Sequence, residues 1–233
     1  MQKLLVLSFI FMFTSCAELQ NIASQLPQDY TLSDAEISSG LKQALQFGID
    51  REVTKLAEEN GFYNNELVRI TLPPELRKVD KTLRDIGLDA LADKGLMVLN
   101  HAAEDAVKEA IPVFTNAVTQ MSINDARNIL FGPDNAATNY LQNRTSEELY
   151  RKFSPIISNS LDKVGATEVW KNIIDRYNAI PLTNNVNPDL PDYVTNEALD
   201  GVFTMISIEE KDIRNDLSAR TTQLLKRVFG AQD

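Results

Sequence analysis

The sequence LDALADKGLMVLNHAAEDAVKEAIPVFTNAVTQM, residues 88–121, is the longest helical pattern in the chain and decides its fold class. Two adjacent apolar stripes run along it at helical spacing, one containing Leu99 and the other Phe114. An apolar band of this width is typical of a helix that neighbours cover on two sides. Its many alanines and Gly95 predict close approach of those neighbours. Pro112 removes an internal hydrogen bond, so a kink or break is expected near it.

Start and stop signals on both sides of this segment predict further helices. Ser33-Asp34-Ala35-Glu36 and Thr145-Ser146-Glu147-Glu148 both match the capping box that opens a helix. Pro155 is expected to interrupt the helix that follows the second box. The short apolar stretch 67–72 favours an extended connector, because it has no obvious partner strand. The sequence therefore predicts a single all-α domain over residues 33–230, with eight to ten helices packed around the 88–121 segment.

Side chains at helical spacing also predict which faces of the later helices are buried. In the helix expected after residue 166, the inward set is Val169, Trp170, Ile173, Ile174 and Tyr177.

The N-terminus has the pattern of a secretory signal. Lys3 precedes an apolar run over residues 4–13, and small residues lead to Cys16, the single cysteine. The run is too short to span a bilayer, which needs about 20 apolar residues. Cys16 resembles the lipidated cysteine of a bacterial lipobox, although Phe13 stands where that motif usually has Leu. An ordinary cleavable signal followed by a chance free cysteine is the alternative.

These features predict a signal peptide over residues 1–15 and a lipidated Cys16 with a tether over residues 16–32. The expected location is the cell envelope, as an outer-membrane lipoprotein facing the periplasm. Ala17 supports the outer membrane, because an Asp after the cysteine favours retention in the inner membrane in enterobacteria-like sorting. The membrane would then be a partner through the lipid anchor alone.

The net charge of −10 narrows the range of partners. It opposes binding to nucleic acid, which depends on Lys and Arg neutralising phosphates. It also opposes direct adsorption to anionic lipid, where basic residues supply the attraction. No nucleic-acid partner is therefore expected.

His101, the single histidine, forms a polar cluster with Glu104 and Asp105 on one predicted helix. The spacing of four residues between His101 and Asp105 permits contact. A di-iron bundle would need two Glu-x-x-His elements, and here one His precedes the Glu. A solvated or salt-bridged histidine is therefore favoured over a catalytic or metal-binding one, and no metal or other cofactor is expected.

A second charged cluster lies near the C-terminus, within Glu209-Glu210-Lys211-Asp212. Glu210 and Arg214 are four residues apart, which suits an ion pair on one helix. Such runs are most often solvated helix faces. Glu209, Glu210 and Arg214 are therefore a candidate interaction face for an envelope protein partner.

Several blocks of the mature chain, the C-terminal one above all, resemble the bacterial domain-of-unknown-function family number 4197. They are Ser33 to Leu45, Leu72 to Val79, Asn100 to Val107, Asp125 to Leu141 and Tyr193 to Gly230. The resemblance implies one all-helical domain in an uncharacterised, secreted or lipid-anchored envelope protein of Gram-negative bacteria. It implies no activity, cofactor or catalytic residue.

No recognisable catalytic constellation accompanies the tethered acidic domain. A non-enzymatic binding or scaffolding lipoprotein is the leading interpretation. The alternative is a carrier of an apolar small molecule or lipid, because Ala-rich helices with wide apolar bands could line a cavity. An enzyme of unknown class, using His101 with Glu104 or Asp105, is a third interpretation.

Overall fold

The computed structural model describes residues 32–73, 77–179, 181 and 185–231, which form nine helices and no strand. The helices are α1 (Asp34–Ala57), α2 (Arg77–Asp85), α3 (Asp89–Val107), α4 (Ala110–Thr119), α5 (Ile123–Leu130), α6 (Ala136–Asp162), α7 (Ala166–Asn178), α8 (Leu190–Asn215) and α9 (Gln223–Phe229). The predicted all-α fold is confirmed.

The segment 88–121 forms two helices rather than one. α3 ends at Val107, α4 begins at Ala110, and Pro112 lies in the first turn of α4. A proline is tolerated there because the first-turn amides have no partner within the helix. The break predicted near Pro112 is confirmed.

Helix α6 is continuous over 27 residues, so the helix start predicted at Thr145 and the interruption predicted at Pro155 are both wrong. The Thr145 hydroxyl donates to the Leu141 carbonyl at 2.6 Å, one turn back in the same helix. A hydroxyl bonded in this way is compatible with a helix interior. Pro155 lies inside α6 on its exposed side.

The core forms where α6 packs against α3 and α8, while α1 contacts α4, α5, α8 and α9. The rings of Phe114 and Phe203 meet edge to face at its centre, with centroids 5.8 Å apart. Gly40 lets α9 touch α1, because a Cβ there would lie 2.5 Å from the Val228 side chain. Gly95 has no such role, since a Cβ there would meet nothing within 4 Å, and the close approach predicted at Gly95 is wrong.

Helix α7 buries a narrower stripe than predicted. Trp170 and Ile174 are buried, whereas Val169 and Ile173 are exposed. Trp170 stacks on Tyr193 of α8, with ring centroids 5.9 Å apart. Because α7 lies at the edge of the fold against α6 and α8, these neighbours cover one side of it.

Candidate functional site

The face predicted to be solvated, formed by Glu209, Glu210 and Arg214, is buried, and that prediction is wrong. The reason is that α8 packs against α1, α3, α6 and α7, which cover it on several sides. A buried charge is tolerated when it is paired and hydrogen-bonded. The contacts of these three side chains therefore decide what each of them does.

Glu210 closes the N-terminal end of α6. Its carboxylate accepts hydrogen bonds from the backbone amides of Ala137 and Thr138, at 2.9 and 2.8 Å. The Thr138 hydroxyl donates to it at 2.8 Å, and the Arg214 guanidinium donates at 2.9 Å. The first amides of a helix have no partner within the helix, and a negative charge there also suits the helix dipole. Glu210 thus acts as a cap supplied by a distant helix.

Arg214 closes the C-terminal end of α5 in the complementary way. Its guanidinium donates to the carbonyls of Ile129 and Leu130, at 2.8 and 3.0 Å. Arg220, which is also buried, donates to the Ile213 carbonyl near the end of α8 at 3.0 Å. Positive charge is favourable at helix C-termini. The buried ion pair therefore holds the turn between α5 and α6 and is structural.

The connector 58–73 between α1 and α2 is fastened to α3 by Glu104. Its carboxylate accepts hydrogen bonds from the amides of Asn60 and Phe62, both at 3.1 Å, and of Tyr63 at 3.3 Å. Asn60 has a φ of 62°, in the left-handed region that few side chains adopt. Three donors on one buried carboxylate offset the cost of this backbone turn.

Asn100, one turn before Glu104, binds the far end of the same connector. Its side-chain amide accepts from the Ile70 amide at 2.8 Å and donates to the Ile70 carbonyl at 2.9 Å. This is the pairing that a neighbouring strand would have supplied. The stretch 67–72 forms a connector and no strand, as predicted, although residues 67–68 lie in a turn and only residues 69–72 have no regular secondary structure.

His101 and Asp105 lie on either side of this fastening and are not brought into one site. His101 Nε2 is 3.2 Å from Asn60 Oδ1 and 3.8 Å from the Glu104 carboxylate. Asp105 is exposed and accepts from the Ser160 hydroxyl at 3.0 Å. Because the Glu104 oxygens are occupied by backbone amides, Glu104 is placed to hold the connector.

An open groove lies along α1, beside the C-terminal end of α8 and the residues that lead into α9. It measures about 580 Å³, and its lining is mainly apolar. One wall is a stripe on α1, and the other comes from α8, the following turn and α9. The side chains that matter most are Phe47, Asp50 and Arg51 on the first wall and Ile213, Ala219 and Leu225 on the second.

Fixed charges frame this groove. The half-exposed Arg51 contacts Glu209 on α8 and donates to Glu52 at 2.9 Å. Asp50, on the same wall, accepts from the Gln46 amide at 2.8 Å and has no ion pair in the described part of the chain. Lys55 lines the same wall and pairs with Glu52 at 2.8 Å. The groove therefore combines an apolar lining with two basic side chains, each paired with a glutamate, and with Asp50, which has no ion pair among the described residues.

Residues 31–230 match the family model described as Protein of unknown function (DUF4197). The match covers most of the chain. The chain belongs to the DUF4197 family. No curated protein and no solved structure matches this chain.

The interior of this DUF4197 chain is closely packed beside the groove. A void among α1, α8 and α9 holds about 20 Å³, enough for roughly one water molecule. Within the described ranges, no three His, Cys, Asp or Glu side chains converge to hold a metal ion. None of the helices described is long and apolar enough to cross a membrane.

Sequence reasoning missed the groove, although one signal was available. Phe47 falls outside the apolar stripe of α1, which contains Leu41, Leu45 and Ile49, and is 47% exposed. A single exposed aromatic side chain is ordinary on a protein surface, so this signal is weak and gains meaning only because Phe47 lines the groove. The predicted signal peptide, the predicted lipidation site Cys16 and the predicted tether as far as residue 31 lie outside the described residues.

Proposed function

We propose that this DUF4197 protein is a non-enzymatic binding module of the bacterial cell envelope. In this proposal, the groove along α1 receives an amphipathic helical segment of a partner protein. The open apolar groove, about 580 Å³ in volume, carries the proposal. Helix-in-groove recognition needs such a trough, in which apolar side chains spaced three to four residues apart can be seated.

Charge supports a basic segment as the occupant. Arg51 and Lys55 at the groove are paired with Glu52 and Glu209, so Asp50 leaves one negative charge in excess there. The whole chain carries a net charge of −10. A segment with Lys or Arg beside its apolar face would be attracted at long range and would neutralise Asp50 on contact.

The groove suits a protein segment better than an enclosed apolar ligand. Ligand pockets surround most of their ligand's surface in about 300–1,000 Å³. The void of about 20 Å³ in the interior is far smaller, and the groove is open to solvent along its length. The groove volume nevertheless falls in the ligand range, so a carrier of an apolar small molecule or lipid is the second candidate.

The proposed location is the outer membrane, facing the periplasm, with lipid chains on Cys16. One acyl chain holds a protein only marginally, so firm attachment needs more than one. A flexible chain of about 16 residues, the length proposed for the tether, would in general span roughly 20–24 Å. The domain would therefore reach partners close to the membrane surface.

The groove is tested by fluorescence anisotropy with a labelled synthetic peptide that has Leu at helical spacing on one face and flanking Lys residues. Phe47→Asp is expected to weaken binding at least about tenfold, because a charge enters the apolar lining. The matched control is Phe131→Asp, since Phe131 is 58% exposed but lies outside the groove. Equal affinity in all three proteins would overturn the groove as the binding site.

The charge preference is tested with a second peptide whose flanking residues are Glu. Asp50→Lys should weaken binding of the Lys peptide and strengthen binding of the Glu peptide. An unchanged ranking would contradict the basic occupant. Native mass spectrometry that finds a co-purified lipid, displaced by Phe47→Asp, would favour the carrier instead.

The anchor is tested separately by Cys16→Ser and membrane fractionation. The variant should appear as uncleaved precursor or as soluble periplasmic protein with its helical circular dichroism unchanged. Mature variant protein that stays firmly in the membrane would refute the lipid anchor.

A further inference from the structure

A second cavity lies between α4 and α6, away from the groove. It measures about 200 Å³ and, unlike the groove, is lined mainly by polar groups. Val113 and Ala117 of α4 form its apolar part. Its volume is below the usual 300 Å³ minimum for drug-sized ligands, so its occupant would be a smaller molecule.

Two opposite charges face this cavity without pairing to each other. Arg144 and Glu148 are one turn apart on α6 and both line the cavity. No ion pair joins them, and Glu148 has no hydrogen-bond partner in the ranges described. An Arg that precedes a Glu by four residues is the less favourable order for a helical ion pair. Glu148 is therefore available to a ligand, whereas Arg144 already interacts with the Tyr140 hydroxyl and with the charge of Asp125. A guanidinium has five N–H donors, so Arg144 keeps donors for a ligand carboxylate.

Neighbouring groups hold Arg144 in place and add hydrogen-bonding capacity. The guanidinium lies over the Tyr140 ring, 5.6 Å from its centroid. Burial, together with the charge of Asp125, raises the pKa of Tyr140. The Tyr140 hydroxyl adds a hydrogen-bond donor and acceptor beside Arg144.

Two amide side chains line the opposite wall. Gln120 donates to Asn116 at 2.9 Å, which orients the pair and leaves the Gln120 carbonyl and the Asn116 amino group available toward a ligand.

We propose that this cavity binds a small zwitterion of the α-amino acid class. Arg144 would receive the carboxylate, Glu148 the ammonium group, and the surface of Val113 and Ala117 a short apolar side chain. A neutral polyol would find hydrogen bonds here but would leave both charges unmatched. This proposal is independent of the groove.

The test is ¹⁵N-edited NMR titration of the full domain with L-valine, N-acetyl-L-valine, L-valinamide and methyl α-glucoside. L-valine is expected to shift backbone amides near residues 116–120 and 144–148 and to saturate at a Kd below about 1 mM. N-acetyl-L-valine and L-valinamide, which each lack one charge, should bind at least about tenfold more weakly.

Matched variants assign the two charges. Arg144→Gln and Glu148→Gln should each weaken L-valine binding at least about tenfold while leaving the thermal unfolding midpoint of the free protein within about 2 °C. The control is Arg151→Gln, because Arg151 is exposed on the same helix and pairs with Glu147 outside the cavity.

Three results would overturn the proposal. The first is that no backbone amide shifts with L-valine up to about 10 mM. The second is that L-valine, N-acetyl-L-valine and L-valinamide bind equally well. The third is that methyl α-glucoside binds and L-valine does not.

Discussion

Glu209 and Glu210 are neighbours in sequence and lie in two different regions of the molecule. Glu210 is turned into the junction of α5, α6 and α8, where Arg214, two backbone amides and a hydroxyl bind its carboxylate. Glu209 lies at the groove, and its carboxylate contacts Arg51, whose side chain is half-exposed. Consecutive residues on a helix point about 100° apart, so one step along the chain separates a structural region from a candidate binding region.

Burial alone does not distinguish a carboxylate that holds the fold together from one that lies at a candidate binding surface. Both glutamates are almost inaccessible to solvent, yet the groups around them differ in number and in freedom to move. A carboxylate bound by backbone amides fixes the fold, whereas one held by a flexible, exposed arginine beside a groove can exchange partners. Function should therefore be sought around Glu209 and stability around Glu210.

Removing each carboxylate in turn gives the largest expected contrast. Glu210→Ala should lower the free energy of unfolding by about 3–5 kcal/mol, because it removes the buried carboxylate that forms an ion pair with Arg214 and caps α6. Glu209→Ala should cost about 1 kcal/mol or less, since Arg51 can turn to water. Urea denaturation followed by circular dichroism measures both values.

Glu147→Ala is the control for this pair, because Glu147 is exposed and its ion pair with Arg151 lies at the surface. It should change stability by less than about 0.5 kcal/mol. If Glu209→Ala proved as destabilising as Glu210→Ala, the division between the two regions would fail.

The connector region offers a second buried carboxylate with which to sharpen the comparison. Glu104→Ala should cost about 2–3 kcal/mol, because the backbone amides of Asn60, Phe62 and Tyr63 lose a charged acceptor. His101→Ala should cost less than about 1 kcal/mol, since its contact with Asn60 is partly exposed. Hydrogen exchange should show the connector opening in the first variant only. A similar loss in both variants would mean that His101 shares the fastening.

Close packing on the buried side of α8 provides the next test. A Cβ at Gly201 would lie 2.7 Å from the Phe62 ring. Gly201→Ala should therefore lower the free energy of unfolding by about 1–3 kcal/mol through overpacking. Gly95→Ala is the matched control, because it has open space and should gain up to about 1 kcal/mol of helix stability. A stabilised Gly201→Ala variant would show that α8 has room to shift on this side.

The smallest expected effects concern pH at two more accessible carboxylates. Hydrogen bonds from Ser122 lower the pKa of Asp125 from its ordinary 3.8. The stability that the ionised carboxylate contributes is therefore present above that pH and is lost as the pH falls through the folded-state pKa. Burial and Asp200 raise the pKa of Glu197 from 4.5, so stability is lost as the pH rises through its folded-state pKa.

Asp125→Asn should accordingly destabilise the protein at neutral pH, and Glu197→Gln should stabilise it, each by less than about 1 kcal/mol. Both differences should disappear in acid, as thermal unfolding between about pH 3 and 7 would show. A destabilising Glu197→Gln at neutral pH would reveal a partner for the ionised carboxylate.

Contacts between near neighbours set several helix ends. The helix start predicted at Ser33-Asp34 is confirmed, because α1 begins at Asp34. Ser122 and Asp125 form the capping box at the start of α5, and Asp189 caps α8. Each of these caps joins residues no more than four positions apart, so its pattern is visible in the sequence. The same rule failed at Thr145. A threonine hydroxyl can cap a helix by accepting from a backbone amide, or it can donate to a carbonyl one turn back inside a helix. At Thr145 the packing of α6 against α3 and α8 favours the second arrangement.

The candidate sites were harder to predict. His101, Glu104 and Asp105 are close in sequence, but a connector from 40 residues earlier occupies Glu104 and leaves the other two on separate sides. The groove and the polar cavity each join residues from distant helices, and no spacing rule relates such residues.

The sequence by itself determined the helical class, the break before Pro112 and membership of the DUF4197 family. These depend on periodicity, backbone chemistry and composition, which act over a few residues or over the whole chain. Only the tertiary structure decided that Glu210 and Arg214 are caps, that Gly95 has no close neighbour and that Phe47 borders a groove. Burial and capping by a distant residue depend on which helices meet, and that is a property of long-range packing rather than of local sequence.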